Sequence, residues 1–234
     1  MKKASVILLL IAGILSFTSA QAQKGVKIKT DKFTGVSLRT SGNVYIKHGK
    51  ESSVEIETSN ELMEMLDVYV QKDVLMIEFK RNSRTWNWRN PDKLDVYITM
   101  PEITMLNISS SGNIRTENKF KSDELNLKIS GSGTIEAAAD ANVINADISG
   151  SGNIRMKGSA KVLYPSISGS GKIDAEELIT ETVSIKISGS GNCTVNVKDD
   201  LNARVSGSGN IYYKGEPKHV NTSISGSGKV KKLS

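Results

Sequence analysis

From Asn107 to Val230 the apolar positions fall into columns rather than into isolated segments. A phrase of the form apolar-Ser-Gly-Ser-Gly-polar-apolar, as in Ile148-Ser149-Gly150-Ser151-Gly152-Asn153-Ile154, recurs with its last glycine at Gly112, Gly133, Gly152, Gly171, Gly191, Gly209 and Gly228. Aligned on that glycine, the fourth position before it is Ile108, Ile129, Ile148, Ile167, Ile187, Val205 and Ile224. The second position after it is Ile114, Ile135, Ile154, Ile173, Cys193, Ile211 and Val230. The eighth position before it, from the second copy on, is Leu125, Ile144, Leu163, Val183, Leu201 and Val220. Polar residues separate these columns, among them Asn126, Asn145, Asn202 and Asn221. This period-two alternation of β-branched and polar residues predicts strands.

The spacing between copies is about 19 residues, the mark of a stacked repeat. Glycine pairs would cost roughly 1 kcal/mol per residue inside a helix. A hairpin array would reverse the direction of the phrase at each step, which does not happen. The fold class predicted is therefore all-β: a right-handed parallel β-solenoid (β-helix) of about seven coils of about 19 residues. Isoleucine stacks on isoleucine inside, and the Ser-Gly-Ser-Gly turns stack along one corner, where glycine permits positive φ. Arg115, Glu136, Arg155 and Asp174 form an outward column of alternating sign, which predicts ion pairs between neighbouring coils.

Residues 23–101 have a different texture. Val36/Leu38, Val44/Ile46, Val54/Ile56, Val68/Val70, Leu75/Ile77/Phe79 and Leu94/Val96/Ile98 predict about six strands. Asn60 to Leu66 predicts one helical turn with Asn60 as its cap. Ser41-Gly42-Asn43-Val44 is a lone forerunner of the repeat phrase. This segment is expected to cap the N-terminal end of the solenoid, because open solenoid ends expose apolar surface and unpaired strand edges. The solenoid proper is placed at 102–234, continuous with the cap through Met100-Pro101-Glu102. Residues 1–22 read as a signal peptide, with Lys2 and Lys3, an apolar run from Val6 to Phe17 and the cleavage sequence Ala20-Gln21-Ala22. No transmembrane segment remains after its removal.

The formal net charge of +6 falls to +4 without the two leader lysines. That excess is too diffuse to suggest nucleic acid as a partner. Cys193, the single cysteine, stands in an inward isoleucine column and reads as a small buried hydrophobe. His48 and His219 lack neighbouring ligands, so neither a metal nor another cofactor is expected. Glu136 and Asp174 lie two coils apart with Arg155 between them, a salt-bridge ladder before an acid–base pair. No catalytic residues are assigned. The best candidate ligand site is the loop at 81–91, where Arg81, Arg84, Trp86, Trp88 and Arg89 combine aromatic surface with positive charge. The alternative role for its tryptophans is to cover the end of the coil stack.

The Ile-Ser-Gly-Ser-Gly-Asn-Ile repeats, the Met100-Pro101-Glu102 entry and the strands Val54-Glu55-Ile56 and Leu75-Met76-Ile77 resemble the GIN head-domain family of putative autotransporter adhesins, over about Phe33 to Val230. The resemblance implies a β-solenoid body and an exported home: periplasm, outer surface or extracellular space. The outward columns of alternating charge and small polar residues favour a non-catalytic, adhesin-like binding or structural module, with a cell-surface glycan or protein as the expected partner. The chain has neither a heptad stalk nor the alternating ten-residue strands of a membrane barrel. The competing function is a polysaccharide-acting β-helix enzyme, a lyase or glycoside hydrolase, which would need converging carboxylates.

Overall fold

The computed structural model describes residues 25–81 and 93–233. The leader at 1–22 and most of the 81–91 loop lie outside the described residues. The described chain forms seventeen strands and one short helix, joined in a single sheet system that winds on itself.

The long strands β10 (Phe120–Gly131), β11 (Thr134–Gly150), β12 (Asn153–Gly169), β13 (Lys172–Gly189) and β14 (Asn192–Gly207) each stack in parallel on their predecessor. The columns read in the sequence are the registers observed: Ile129 faces Ile148, Ile148 faces Ile167, Ile167 faces Ile187 and Ile187 faces Val205. Unequal copy lengths are absorbed by register shifts between Arg155 and Lys157 and between Ala175 and Ile179, away from the corner. Cys193 lies between Ile173 and Ile211 and is fully buried, and that burial pushes its thiol well above the ordinary range.

The two glycines of each corner serve different ends. Gly150 has φ +132°, and a Cβ there would lie 2.6 Å from the carbonyl oxygen of Gly131 on the rung below. Gly152 lies where a Cβ would meet Ile129 Cγ2 at 2.6 Å and Gly133 O at 2.9 Å. The first glycine supplies a backbone angle, and the second lets the corner settle onto the isoleucine column. The corners are hydrogen-bonded to each other as the strands are, for example Ser151 N to Gly131 O (3.0 Å) and Asn153 N to Gly133 O (2.9 Å). In the first copy Ser110 replaces the glycine, and its hydroxyl donates to Thr40 O at 2.8 Å.

The parallel stack begins within the N-terminal segment. β2 (Gly35–Leu38) and β3 (Asn43–His48) form a rung with the Ser41–Val44 phrase at its corner. They lie between β6 (Val74–Phe79) with β7 (Asp95–Met100) on one side and β8 (Met105–Ile108) with β9 (Asn113–Thr116) on the other. Rung order therefore departs from chain order: β6–β7, then β2–β3, then β8–β9. Asparagine amides run up the outside, Asn113 to Asn43 (2.9 Å), Asn145 to Asn126 (3.0 Å) and Asn210 to Asn192 (3.0 Å). Asn43 in turn donates to the buried Asp95 at 2.9 Å.

Antiparallel strands close the N-terminal end. β5 (Leu66–Gln71) pairs with β6 through a turn whose Lys72 and Asp73 both have positive φ. β4 (Ser53–Glu57) pairs with β7, and β1 (Val26–Ile28) with β4. Between β4 and β5 lies α1 (Asn60–Met65), which buries Leu62. Its cap is Ser59 and not Asn60. Ser59 holds an extended backbone (φ −69°, ψ 159°) and its hydroxyl accepts from Leu62 N at 3.2 Å, which places Asn60 inside the first turn.

The outward charge column holds only in part. Glu136 lies 3.6 Å from Arg115 and 2.9 Å from Arg155, but Asp174 turns to Lys172 of its own strand at 3.2 Å. A lysine two residues away closes the pair without bridging rungs, so the ladder ends at Arg155.

Ile148→Asp puts a charge into the isoleucine column and is expected to cost more than about 4 kcal/mol, read as loss of the cooperative circular-dichroism melt. Gly150→Ala is expected to cost at least about 1–3 kcal/mol from its backbone angle alone. Ser151→Ala, next to it but exposed, should stay within about 0.5 kcal/mol of the parent. Equal denaturant midpoints for the two alanine variants would show that the corner tolerates side chains.

Candidate functional site

Strict alternation of buried and exposed residues lapses partway along each long strand. In β11 Ala137, Ala138 and Ala139 are buried in succession, and Asp140, Ala141 and Asn142 then face outward or partly so. The strand changes direction here. On the outside, the bends of successive rungs line a groove of 910 Å³. It collects residues 121–124, 140–142, 159–161 and 179–181, with Lys198 beyond them and Glu102 and Thr104 before them. At about 4.8 Å per rung, the four rungs from Ser122 to Thr180 span roughly 14 Å along the stack.

The floor consists of small side chains in register, Ser122 on Ala141, Ala141 on Ala160 and Ala160 on Thr180. Thr180 is buried and spends its hydroxyl on Asn196 O at 2.6 Å. One wall runs Lys121, Asp140, Ser159, Ile179. Within it Asp140 accepts from Ser159 Oγ at 2.8 Å and pairs with Lys119 at 3.2 Å. The serine hydroxyl, and after it the lysine, hold the Asp140 carboxyl below the usual carboxylate range. Ile179 closes this wall with 45% of its surface exposed. The other wall carries Asp123 and Asn142, joined at 3.0 Å, followed by Lys161 and Glu181. Among the described residues Lys121, Lys161, Glu181 and Lys198 have no ion-pair partner, so their polar ends are available.

The groove thus offers both donors and acceptors along its length. Its lining carries the acids Glu102, Asp123, Glu124, Asp140 and Glu181 against Lys121, Lys161 and Lys198, which disfavours a polyanion. Among the described residues no three of His, Cys, Asp and Glu converge as metal ligands. His48 packs edge-on against Phe120 with ring centres 5.4 Å apart, and His219 is exposed on β16 (His219–Gly226). Glu136 and Asp174 lie outside the groove, each engaged by the cations described above.

Of the residues singled out in the sequence, Arg81 is exposed just past the end of β6. Arg84, Trp86, Trp88 and Arg89 lie outside the described residues. Sequence reasoning missed the groove, because its residue types are ordinary surface types. The one signal available was the lapse of alternation through Ala137-Ala138-Ala139-Asp140-Ala141-Asn142.

The crystal structure of a putative adhesin from Bacteroides fragilis NCTC 9343 superposes with a TM-score of 0.80 at 24% identity, covering 89% of this chain and 96% of that one. A putative lipid binding protein from Parabacteroides distasonis ATCC 8503 gives 0.73 at 21% identity, covering 90% and 96%. A putative adhesin from the same organism gives 0.70 at 25% identity, with the same coverage. No curated protein matches the chain. The family model described as putative auto-transporter adhesin, head GIN domain, matches residues 32–217, and the chain belongs to that family.

Proposed function

We propose that the protein is a non-catalytic, exported binding module of the adhesin type, and that its groove holds a neutral glycan chain lying along the stack axis. The observation that carries this reading is the groove's construction. It crosses successive rungs whose backbones pair along both edges of β11, β12 and β13, with a register irregularity around Thr180 of β13. Only side chains remain to meet a ligand, so an extended peptide finds no strand edge there to join. Hydroxyl-rich sugars use both donors and acceptors, which Lys121 on one wall and Asn142, Lys161 and Glu181 on the other supply. Ile179 adds one apolar contact, too little for an acyl chain.

Several features favour binding over cleavage. A glycosidase needs a carboxylic acid whose pKa is raised toward neutrality, opposed to a second carboxylate across the scissile bond. Asp140, engaged by Ser159 and Lys119, is shifted the other way. Glu136 is clamped between two arginines. Export is supported by the leader-like residues 1–22 and by the family's adhesin label. Among the described residues no helix is long and apolar enough to cross a membrane.

The test is a screen of the purified chain against immobilised neutral and acidic polysaccharides, repeated with two variants. Ala141→Trp fills the floor. Lys161→Ala with Glu181→Ala removes wall contacts and should leave stability within about 0.5 kcal/mol, since both side chains are exposed. Binding of a neutral glycan is expected to weaken at least about tenfold in both. Unchanged binding in both moves the site elsewhere. Release of reducing ends that disappears on Asp140→Asn or Glu136→Gln makes the protein an enzyme.

A further inference from the structure

Among the described residues, charges that face each other between parallel rungs are matched in sign, with one exception. Lys121 faces Asp140, Lys128 faces Asp147, Lys157 faces Glu177, and Glu136 faces Arg115 and Arg155. Arg155 also faces Asp174. The exception is Lys186 of β13, which faces Arg204 of β14. Like charges set opposite each other in a sheet cost stability. Both side chains are exposed, and neither has an ion-pair or hydrogen-bond partner among the described residues. Their column continues to Ser166 on one side and Ser223 on the other. The nearest acid within it, Asp147, lies two rungs from Lys186, roughly 10 Å along the stack.

A second outward column runs beside this one, with Ser184, Asn202 and Asn221 in register. Between the two columns is a recess of 390 Å³, with the buried Ile185 and Ala203 beneath it. Asn202 accepts from Asn221 Nδ2 at 3.3 Å, and its own amide N–H groups bond nothing among the described residues. Tyr164 of β12 heads this column, where asparagine or serine stands on the other long rungs, and is 47% exposed. The ladder lapses beside it. Pairing between β12 and β13 goes from Leu163–Val183 to Ser166–Lys186, and Pro165 has no N–H to give.

An occupant of this face must bring negative charge to Lys186 and Arg204 and a flat surface to Tyr164. A free inorganic ion leaves Tyr164 unused. An extended peptide finds no open strand edge, since β14 lies between β13 and β16 here, as it lies between β13 and β15 (Asn210–Lys214) past the corner. One tyrosine is too little apolar surface for a membrane, and two cations are too few for a nucleic acid. We propose that this face binds an acidic sugar residue, one carrying a carboxylate or a sulfate. The oxyanion sits between Lys186 and Arg204, which turns their repulsion into a shared attraction, and the guanidinium grips it with two N–H groups. Tyr164, roughly 8 Å from Lys186 on the diagonal between rungs, offers its ring to the sugar. Asn202 and Ser184 are left for the hydroxyls. The recess shares no residue with the groove and does not depend on what the groove binds.

The probes are end-labelled hexasaccharides titrated with the full chain and followed by fluorescence anisotropy. A galacturonate hexamer is compared with its methyl ester, and a κ-carrageenan hexamer with its desulfated form. At least one acidic hexamer is expected to bind about tenfold or more tightly than its neutral counterpart. Lys186→Gln with Arg204→Gln should remove that preference while the melting temperature holds or rises, because a repulsion is relieved. Tyr164→Ala should also weaken the acidic hexamer about tenfold, and sodium sulfate should displace it only weakly. Lys161→Ala with Glu181→Ala, in the groove, should leave acidic-hexamer binding unchanged. The proposal is overturned if neither acidic hexamer outbinds its neutral form. It is overturned as a free-anion site if sulfate binds as tightly as the hexamer and Tyr164→Ala changes nothing. A polyglutamate peptide that outbinds both hexamers overturns it in favour of a protein partner. Loss of the acidic hexamer in the groove variant places that sugar in the groove and also overturns it, whereas failure of every neutral glycan to bind counts against the groove alone.

Discussion

The structure depends on how closely one corner can approach the next. Strands in a parallel stack tolerate many side chains, because side chains point away from the neighbouring strand. A corner does not, because there the backbone turns across the axis and its Cα hydrogens point along the stack. At Gly152 a methyl group would collide with an isoleucine and a carbonyl oxygen of the rung below. With glycine there, the rungs keep the same spacing at the turn as in the strands, and the hydrogen bonds continue through the corner. The isoleucine columns are buried as a consequence of that spacing. A corner that held the rungs apart would open a gap beneath every residue in the column, and close packing leaves no tolerance for such gaps.

What could be read from the sequence follows from this dependence. The repeat is visible because each rung solves the same steric problem, so Gly133, Gly152 and Gly171 recur with their isoleucines and the register of each strand is legible column by column. Where the problem changes, the reading thins. The interleaving of β2–β3 between β6–β7 and β8–β9 involves strands whose local patterns look alike, and nothing within a single strand states which neighbour it will take. Ser59 and Asn60 are both good caps, and the choice is made by where the backbone leaves its extended conformation. Asp174 had a distant arginine and a near lysine on offer, and sequence columns show the first more readily than the second.

The groove was hidden for another reason. Residues that stand out in a sequence as candidates for binding are rare types in unusual places, as with the tryptophans and arginines near Trp86. Here the site is a shape made by small residues at a bend, and its chemistry comes from lysine, aspartate and serine indistinguishable in type from any solvated surface. What distinguishes them is collective: five rungs bend at the same place, and the same offset from the corner is thereby brought into one line. A repeat protein can form a long site from residues that are individually unremarkable in type, because stacking multiplies whatever a single rung displays.

The interleaved rung order also bears on how the chain can reach this state. A solenoid whose rungs follow the chain can fold progressively as it is made, each coil laid on the one before. Here β2 and β3 are synthesised before either neighbouring rung, and the rung beneath them, β6 with β7, is complete only at Met100. Until then β2 and β3 have no partner on either side, since β8 and β9 come later still. Closure of the N-terminal end is thus a late, long-range event with high contact order, and such events are slow. The regular rungs from Phe120 onward have only neighbour-to-neighbour contacts to make and can assemble without it. The strands β2 and β3 therefore stay open to pairing on both edges until the chain beyond them has been made, so the oldest part of the stack is among the last to settle.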